Sequence, residues 1–322
     1  MEKFLELVKD DLSKVEEAVK NQLSSRVPLI TKVAEHLVLR GGKRFRPSLL
    51  LLSARLCGYR GEDHIPLAGV IEFVHTATLL HDDVIDNAEI RRGTPSANTL
   101  WGNEASVLVG DFLFARAFAK VVQTGELRIL ETLALATTSL AEGETLELVK
   151  TADLTITEEE NLELIINKTA VLISAAARIG AVLGKAPPEV EEALAHYGLQ
   201  IGIAFQLIDD CLDYTGKKET LGKETGSDLK EGKITLPLIH TLRQCAPQER
   251  RQIQTIVVND AFSPDGLQTV IGLIDKYKGV EYTLAKAHKH IDEGKERLGD
   301  LPPTPEKEAL FEMADYVVQR SV

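Results

Sequence analysis

The sequence predicts an all-α fold, a single large helical bundle over residues 1–322. Three observations carry that prediction. Apolar residues recur at helical spacing through stretches far longer than a strand, and alternating Val/Ile/Thr patterns are nearly absent. The third is the punctuation: Gly41-Gly42, Gly93, Pro95, Pro187-Pro188, Pro237 and the run LPPTP at 301–305 fall between the periodic stretches, where helices should stop and start.

From the N-terminus, residues 2–19 (EKFLELVKDDLSKVEEAV) set apolar positions between charges and read as an amphipathic helix. They carry no signal-peptide core with a small-residue cleavage site. Residues 68–86, 127–149, 161–184 and 189–213 supply further helices. Within them TAVLISAAARIGAVLG and YGLQIGIAFQLI are apolar over much of the circumference, the mark of central helices surrounded by others. No short-period repeat and no Ser/Gly-rich linker divides the chain, which favours one domain.

A chain of 322 residues with 44% hydrophobic content can bury a large core. Its net charge of −12 argues against a nucleic-acid partner, so an anionic ligand must be held by local cations or metal ions. Cys57, Cys211 and Cys245 are odd in number and lack CxxC spacing, which speaks against a secreted disulfide framework and for a reducing compartment, the cytoplasm. No stretch reaches about 18 consecutive apolar residues, so no transmembrane segment is expected.

The chemistry concentrates in two echoing segments, LLHDDVID and LIDDCLD. On a helix Asp82, Asp83 and Asp86 share one face and repel by roughly 0.2–0.5 kcal/mol per pair. Asp209, Asp210 and Asp213 repeat the same DDxxD spacing. One such cluster can be a solvated acidic helix end; two, each closing a strongly apolar helix, point to metal. All-oxygen ligands suit a hard cation, and Mg2+ binds through one or two carboxylates plus substrate phosphates. Loading such a site relieves the repulsion.

The cations agree with a polyphosphate ligand. Arg91 and Arg92 follow the first cluster, and RGGKRFRP places Gly42, Lys43, Arg44 and Arg46 around a glycine turn before a helix starting near Pro47. Guanidinium forks match phosphate oxygens, and a helix N-terminus adds N–H donors. The plainer reading of that stretch is a basic helix end. The segment GKKETLGKETGSDLKEGKITLP (216–237) interleaves Gly216, Gly222, Gly226 and Gly232 with lysines and could close as a lid. It fails the GxxxxGK[ST] phosphate loop in spacing, in Glu224, and in lacking a preceding strand.

These residues resemble the trans-prenyl (E-polyprenyl) diphosphate synthases, particularly the long-chain octaprenyl and solanesyl type. The matching stretches GGKRFRP, HTATLLHDDVIDNAEIRRG, NKTA, GIAFQLIDDCLDYTG and GKETGSDLKEGKITLP come in the family's order and cover nearly the whole chain. The resemblance implies an all-α bundle around a central cavity, a homodimer, and Mg2+-assisted condensation of isopentenyl diphosphate with an allylic diphosphate such as farnesyl or geranylgeranyl diphosphate.

Carried over by position, the resemblance implies that Asp82, Asp86 and Asp209 lead in Mg2+ binding, with Asp83, Asp210 and Asp213 in support. Arg91, Lys168, Thr169, Gln206, Lys223 and Lys233 match the allylic-side contacts. Gly42, Lys43, Arg46, His75 and Arg92 match the isopentenyl diphosphate side. His75 alone would read as a core histidine, and Gln206 as a backbone partner. The chemistry implied is ionisation of the allylic C–O bond, attack by the isopentenyl double bond and loss of a proton, with no protein nucleophile. A product released from such a site is greasy, so transient membrane contact on release is expected.

Chain length follows from helix geometry. Ala77 and Thr78, one turn before the first cluster, are small and leave a path open, while Phe73 a turn lower narrows it; a product of about C40 is expected. One departure stands at Glu147, where family members often carry Gln. Three rival readings fit less well: a His-Asp phosphohydrolase, for which further histidine ligands are lacking; a class I terpene cyclase, which would replace the second DDxxD; and a non-catalytic partner subunit, against which both intact clusters argue. A short- or medium-chain synthase remains the nearest alternative.

Overall fold

The structure, a computed structural model, describes residues 3–38, 44–91, 93–216, 226–258 and 264–319. Gly42, Lys43, Arg92 and Lys223 lie outside the described residues, as do residues 217–225 of the lysine- and glycine-rich segment. Helices are α1 (Lys3–Gln22), α2 (Pro28–Val38), α3 (Phe45–Leu56), α4 (His64–Ile85), α5 (Ala97–Trp101), α6 (Asn103–Val122), α7 (Leu127–Lys150), α8 (Glu158–Ile165), α9 (Val171–Leu183) and α10 (Pro188–Thr215). Later helices span Ser227–Lys230, Leu236–Gln244, Pro247–Val258, Pro264–Lys276, Gly279–Leu298 and Pro305–Gln319. Among the described residues the only sheet is a hairpin pairing Ile90 with Pro95 and Arg91 with Thr94. It is too short for a period-2 pattern to announce it.

The chain divides into two compact units whose boundaries fall within helices, among them α7, α10, Gly279–Leu298 and Pro305–Gln319, which is why no linker marks them in the sequence. The first unit is built on α4, which packs against α1, α3 and α6. Leu67 through Val74 are buried without a break, so this helix is enclosed on all sides, as a continuous apolar run requires. On α3, Leu49, Leu50, Leu51 and Leu52 are fully buried, each contributing about 1.5–3 kcal/mol of transfer free energy. Gly180 of α9 lets that helix close on α3: a Cβ there would lie 2.6 Å from the Leu50 carbonyl oxygen.

Charges fasten α1 to the same unit. Arg55 Nη2 lies 2.7 Å and Nε 3.1 Å from Asp11 Oδ2, while Nη1 donates to the Leu7 carbonyl. His64 Nε2 adds a contact at 3.3 Å. Burial would raise the Asp11 carboxyl, but Arg55 and His64 outweigh it and hold it below its usual range.

In the second unit a capping box opens α8: Thr157 Oγ1 accepts from the Glu160 N–H and Glu160 accepts from the Thr157 N–H. The helix then widens into a π turn, Ile166–Ala170, before α9. Such insertions are frequent at functional sites. Residues Glu158–Leu183 together are long and apolar enough to cross a membrane by length and composition, but 67% of the most apolar window is buried within the protein. A core helix meets the same test.

Candidate active site

The first aspartate cluster closes α4. Asp82 and Asp83 lie in its last turn and Asp86 is the C-cap. The helix stops in a Schellman motif: the Ala88 N–H donates to the Asp83 carbonyl at 2.9 Å and the Asn87 N–H to Val84 at 3.3 Å. Asn87 takes the left-handed conformation this needs, with φ 50°. The chain turns back through the hairpin, and Ser96 secures the return by donating its hydroxyl to the Ala88 carbonyl at 2.5 Å.

That return brings Arg91 onto Asp83. Nε lies 2.7 Å and Nη2 2.5 Å from Asp83 Oδ1, and the carboxylate is fully buried. Asp82 and Asp86 are half-buried. Three carboxylates stand at the negative end of a helix dipole with no basic residue in the last turn, a placement disfavoured by about 0.3–1 kcal/mol per charge. A solvated acidic helix end would favour the opposite terminus, so the arrangement calls for cations from elsewhere.

Arg44 departs from the sequence expectation. It occupies a left-handed N-cap position before α3, at φ 46°, and turns inward. Nη1 donates to Glu72 at 2.8 Å and Nη2 to the Val38 carbonyl at 3.0 Å. Of the basic cluster it is a fastening, while Arg46 sits half-buried in the first turn of α3, a helix that begins at Phe45 rather than near Pro47. His75 is half-buried on α4 and its carbonyl accepts from Thr78 Oγ1 at 2.8 Å. Ala77 and Phe73 are fully buried and Thr78 half-buried.

The second cluster lies in the last two turns of α10, again with no basic residue in the last turn. Asp210 is buried, and that burial together with the carboxylates of Asp228, Asp209 and Asp213 pushes it well above the usual carboxylate range, against the donating Gln206 amide. Gln206 Nε2 lies 2.8 Å from Asp210 Oδ1 and its Oε1 accepts from Thr169 Oγ1 at 2.9 Å. Asp213 holds the start of the helix Ser227–Lys230: it accepts from Ser227 Oγ at 2.7 Å, Ser227 N–H at 3.1 Å and Asp228 N–H at 3.3 Å.

The π turn supplies Lys168 beside Thr169. Lys168 Nζ lies 3.0 Å from Glu144 Oε2 and donates to Glu147 Oε2. Lys233 Nζ lies 2.6 Å from Glu231 and 3.9 Å from the same Glu147 oxygen. Two glycines permit the approach: a Cβ on Gly143 would come within 2.9 Å of the Lys168 nitrogen, and one on Gly202 within 2.6 Å of Ala170 Cα. Thr169, Gln206 and Asp210 therefore form one hydrogen-bonded chain, and Lys168 and Lys233 share a second group of contacts through Glu147. Sequence reasoning missed Gly143, Gly202, Glu144 and Asp228. The EGE stretch flanking Gly143 was the available signal.

The donor set suits a hard divalent cation. Asp82 and Asp86 in the first unit and Asp209 in the second carry the oxygen donors such an ion takes, and among the described residues no three His, Cys, Asp or Glu side chains converge closely enough to hold an ion unaided. Mg2+ bound through few carboxylates and completed by substrate phosphates has this requirement.

Residues 27–274 match the polyprenyl synthetase family. Over 320 residues the chain is 43% identical to the octaprenyl diphosphate synthase of Escherichia coli, covering 99% of each. It superposes on the crystal structure of a decaprenyl diphosphate synthase from Rhodobacter capsulatus with a TM-score of 0.95 at 42% identity, covering 99% of this chain and 98% of that one. A polyprenyl synthase from Caulobacter crescentus, complexed with calcium and isoprenyl diphosphate, gives 0.95 at 41% identity, covering 99% and 97%. The fold and the paired acidic clusters are those of an all-α trans-prenyltransferase. The chain belongs to the polyprenyl synthetase family. That family is divalent-metal dependent and uses isopentenyl and allylic diphosphates.

Proposed function

We propose that this prenyltransferase adds isopentenyl diphosphate repeatedly to an allylic primer, farnesyl or geranylgeranyl diphosphate, and releases an all-trans polyprenyl diphosphate of about C40. The observation that supports this best is the pair of DDxxD clusters, each at a helix C-terminus that carries no cation of its own in its last turn. Mg2+ supplies Lewis-acid stabilisation of the charge that develops on the leaving diphosphate. Asp82, Asp86 and Asp209 would each offer it a carboxylate oxygen, while Lys168, Lys233, Arg91 and Lys223 would orient the allylic diphosphate oxygens. Lys43, Arg46, His75 and Arg92 hold isopentenyl diphosphate. Apolar α4 walls exclude water from the cationic centre.

The protein acts as a homodimer in this reading. Leu108 and Val122 on α6 and Leu127 and Leu135 on α7 are between 61% and 72% exposed, apolar surface that a second copy would cover. Sedimentation of the wild type and of Leu108→Asp tests it, with a dimer expected for the former and a shift toward monomer for the latter.

Incubation with Mg2+, labelled isopentenyl diphosphate and farnesyl diphosphate, followed by sizing of the extracted lipids, tests the activity. Products near C40 that vanish with EDTA support the proposal. Products stopping at C20 would restore the short-chain alternative, and no incorporation would return it to a non-catalytic subunit.

A further inference from the structure

We infer that Glu147, supported by Glu144, is a built-in counter-anion that competes with the allylic diphosphate for Lys168 and Lys233 and so sets how tightly that diphosphate is held. The inference rests on the reading of those lysines as diphosphate contacts.

The geometry points this way. Glu147 and Glu144 are one turn apart on α7, and Gly143 brings that turn against the backbone of the π turn. A single Glu147 oxygen lies beside both Lys168 Nζ and Lys233 Nζ, where a bridging phosphate oxygen would lie if both lysines bound one anion. The side chains are not surface groups: Lys168 is 23% exposed, Glu147 22% and Lys233 19%. An ion pair at that depth is less screened by water than an exposed one, so it has to be broken or shared when a diphosphate arrives. Glu147 would act through the lysines and not on the reacting carbons, which makes it a positioning residue. Its charge lowers the affinity of the pair for any polyanion, substrate and released pyrophosphate alike.

Pyrophosphate binding to the full-length protein with Mg2+, measured by calorimetry for the wild type, Glu147→Gln and Glu147→Asp, tests the inference, together with KM and kcat for farnesyl diphosphate. Glu147→Gln keeps the shape and removes the charge. It should bind pyrophosphate about fivefold more tightly and lower KM, while Glu147→Asp returns toward the wild type. A merely structural role for Glu147 would weaken binding in Glu147→Gln. Unchanged or weaker pyrophosphate binding, in a variant that melts like the wild type and still makes polyprenyl products, overturns this inference alone. If neither protein binds pyrophosphate, the assignment of the lysines to a diphosphate fails and takes the inference with it.

Discussion

Arg91 holds the buried Asp83 carboxylate through two nitrogens, Nε at 2.7 Å and Nη2 at 2.5 Å, both on Oδ1. The hairpin after α4 exists to make that contact, since it is what folds Ile90–Arg91 back onto the helix end. Removing the cation takes both guanidinium contacts away from a fully buried carboxylate oxygen. Arg91→Gln should cost about 3 kcal/mol or more in stability, and Asp83→Asn in the same chain should restore a large part of it. Denaturant titration of the two single variants and the double variant measures the coupling; additive losses would refute it.

The Asp11 contact to Arg55 predicts a pH dependence. The folded-state pKa lies below the unfolded one, so the contribution to stability is present above about pH 4 and is lost as pH falls through the folded value. Asp11→Asn should cost about 2 kcal/mol at pH 7, and the gap between variant and wild type should shrink in acid. Urea midpoints from pH 7 down to 3 test it. A gap that widens on acidification contradicts the assigned sign.

Ala77 is fully buried one turn below the first aspartates. In the proposed elongation path, a tyrosine there would take up space along α4 below the aspartates. Ala77→Tyr should shorten the main product, and lipid sizing shows whether it does. Products of unaltered length from a folded variant would move the chain path away from α4.

Gly143 allows α7 to touch the π turn, and the atoms a Cβ would meet are mostly main chain, which yields little. Gly143→Ala should cost about 1–3 kcal/mol by overpacking and raise KM for the allylic substrate through displaced Lys168. Thermal melts and initial rates read both effects. A variant with wild-type melting and KM would show that the turn relaxes freely.

Much of this molecule was legible because helices advertise themselves by period. The central helices, the ends marked by Gly and Pro, and the echo between the two DDxxD clusters all sit in local sequence. What was hidden depends on partners far along the chain. Nothing near Arg44 says it will turn inward, because the Glu72 that takes it is 28 residues away. The capping box at Thr157 is a local pattern, but the π turn that follows it has none, and the glycines that accommodate it lie on two other helices. Asp213 reads as one carboxylate of three, yet it is also the acceptor that starts the helix Ser227–Lys230.

The protein spends Arg44, Arg55 and Arg91 on its own carboxylates while carrying a net charge of −12. Seen from a Debye length away, such a molecule repels a polyanion instead of steering it inward. A diphosphate should therefore arrive already escorted by divalent ions, and moderate salt should quicken its capture where a basic enzyme would be slowed.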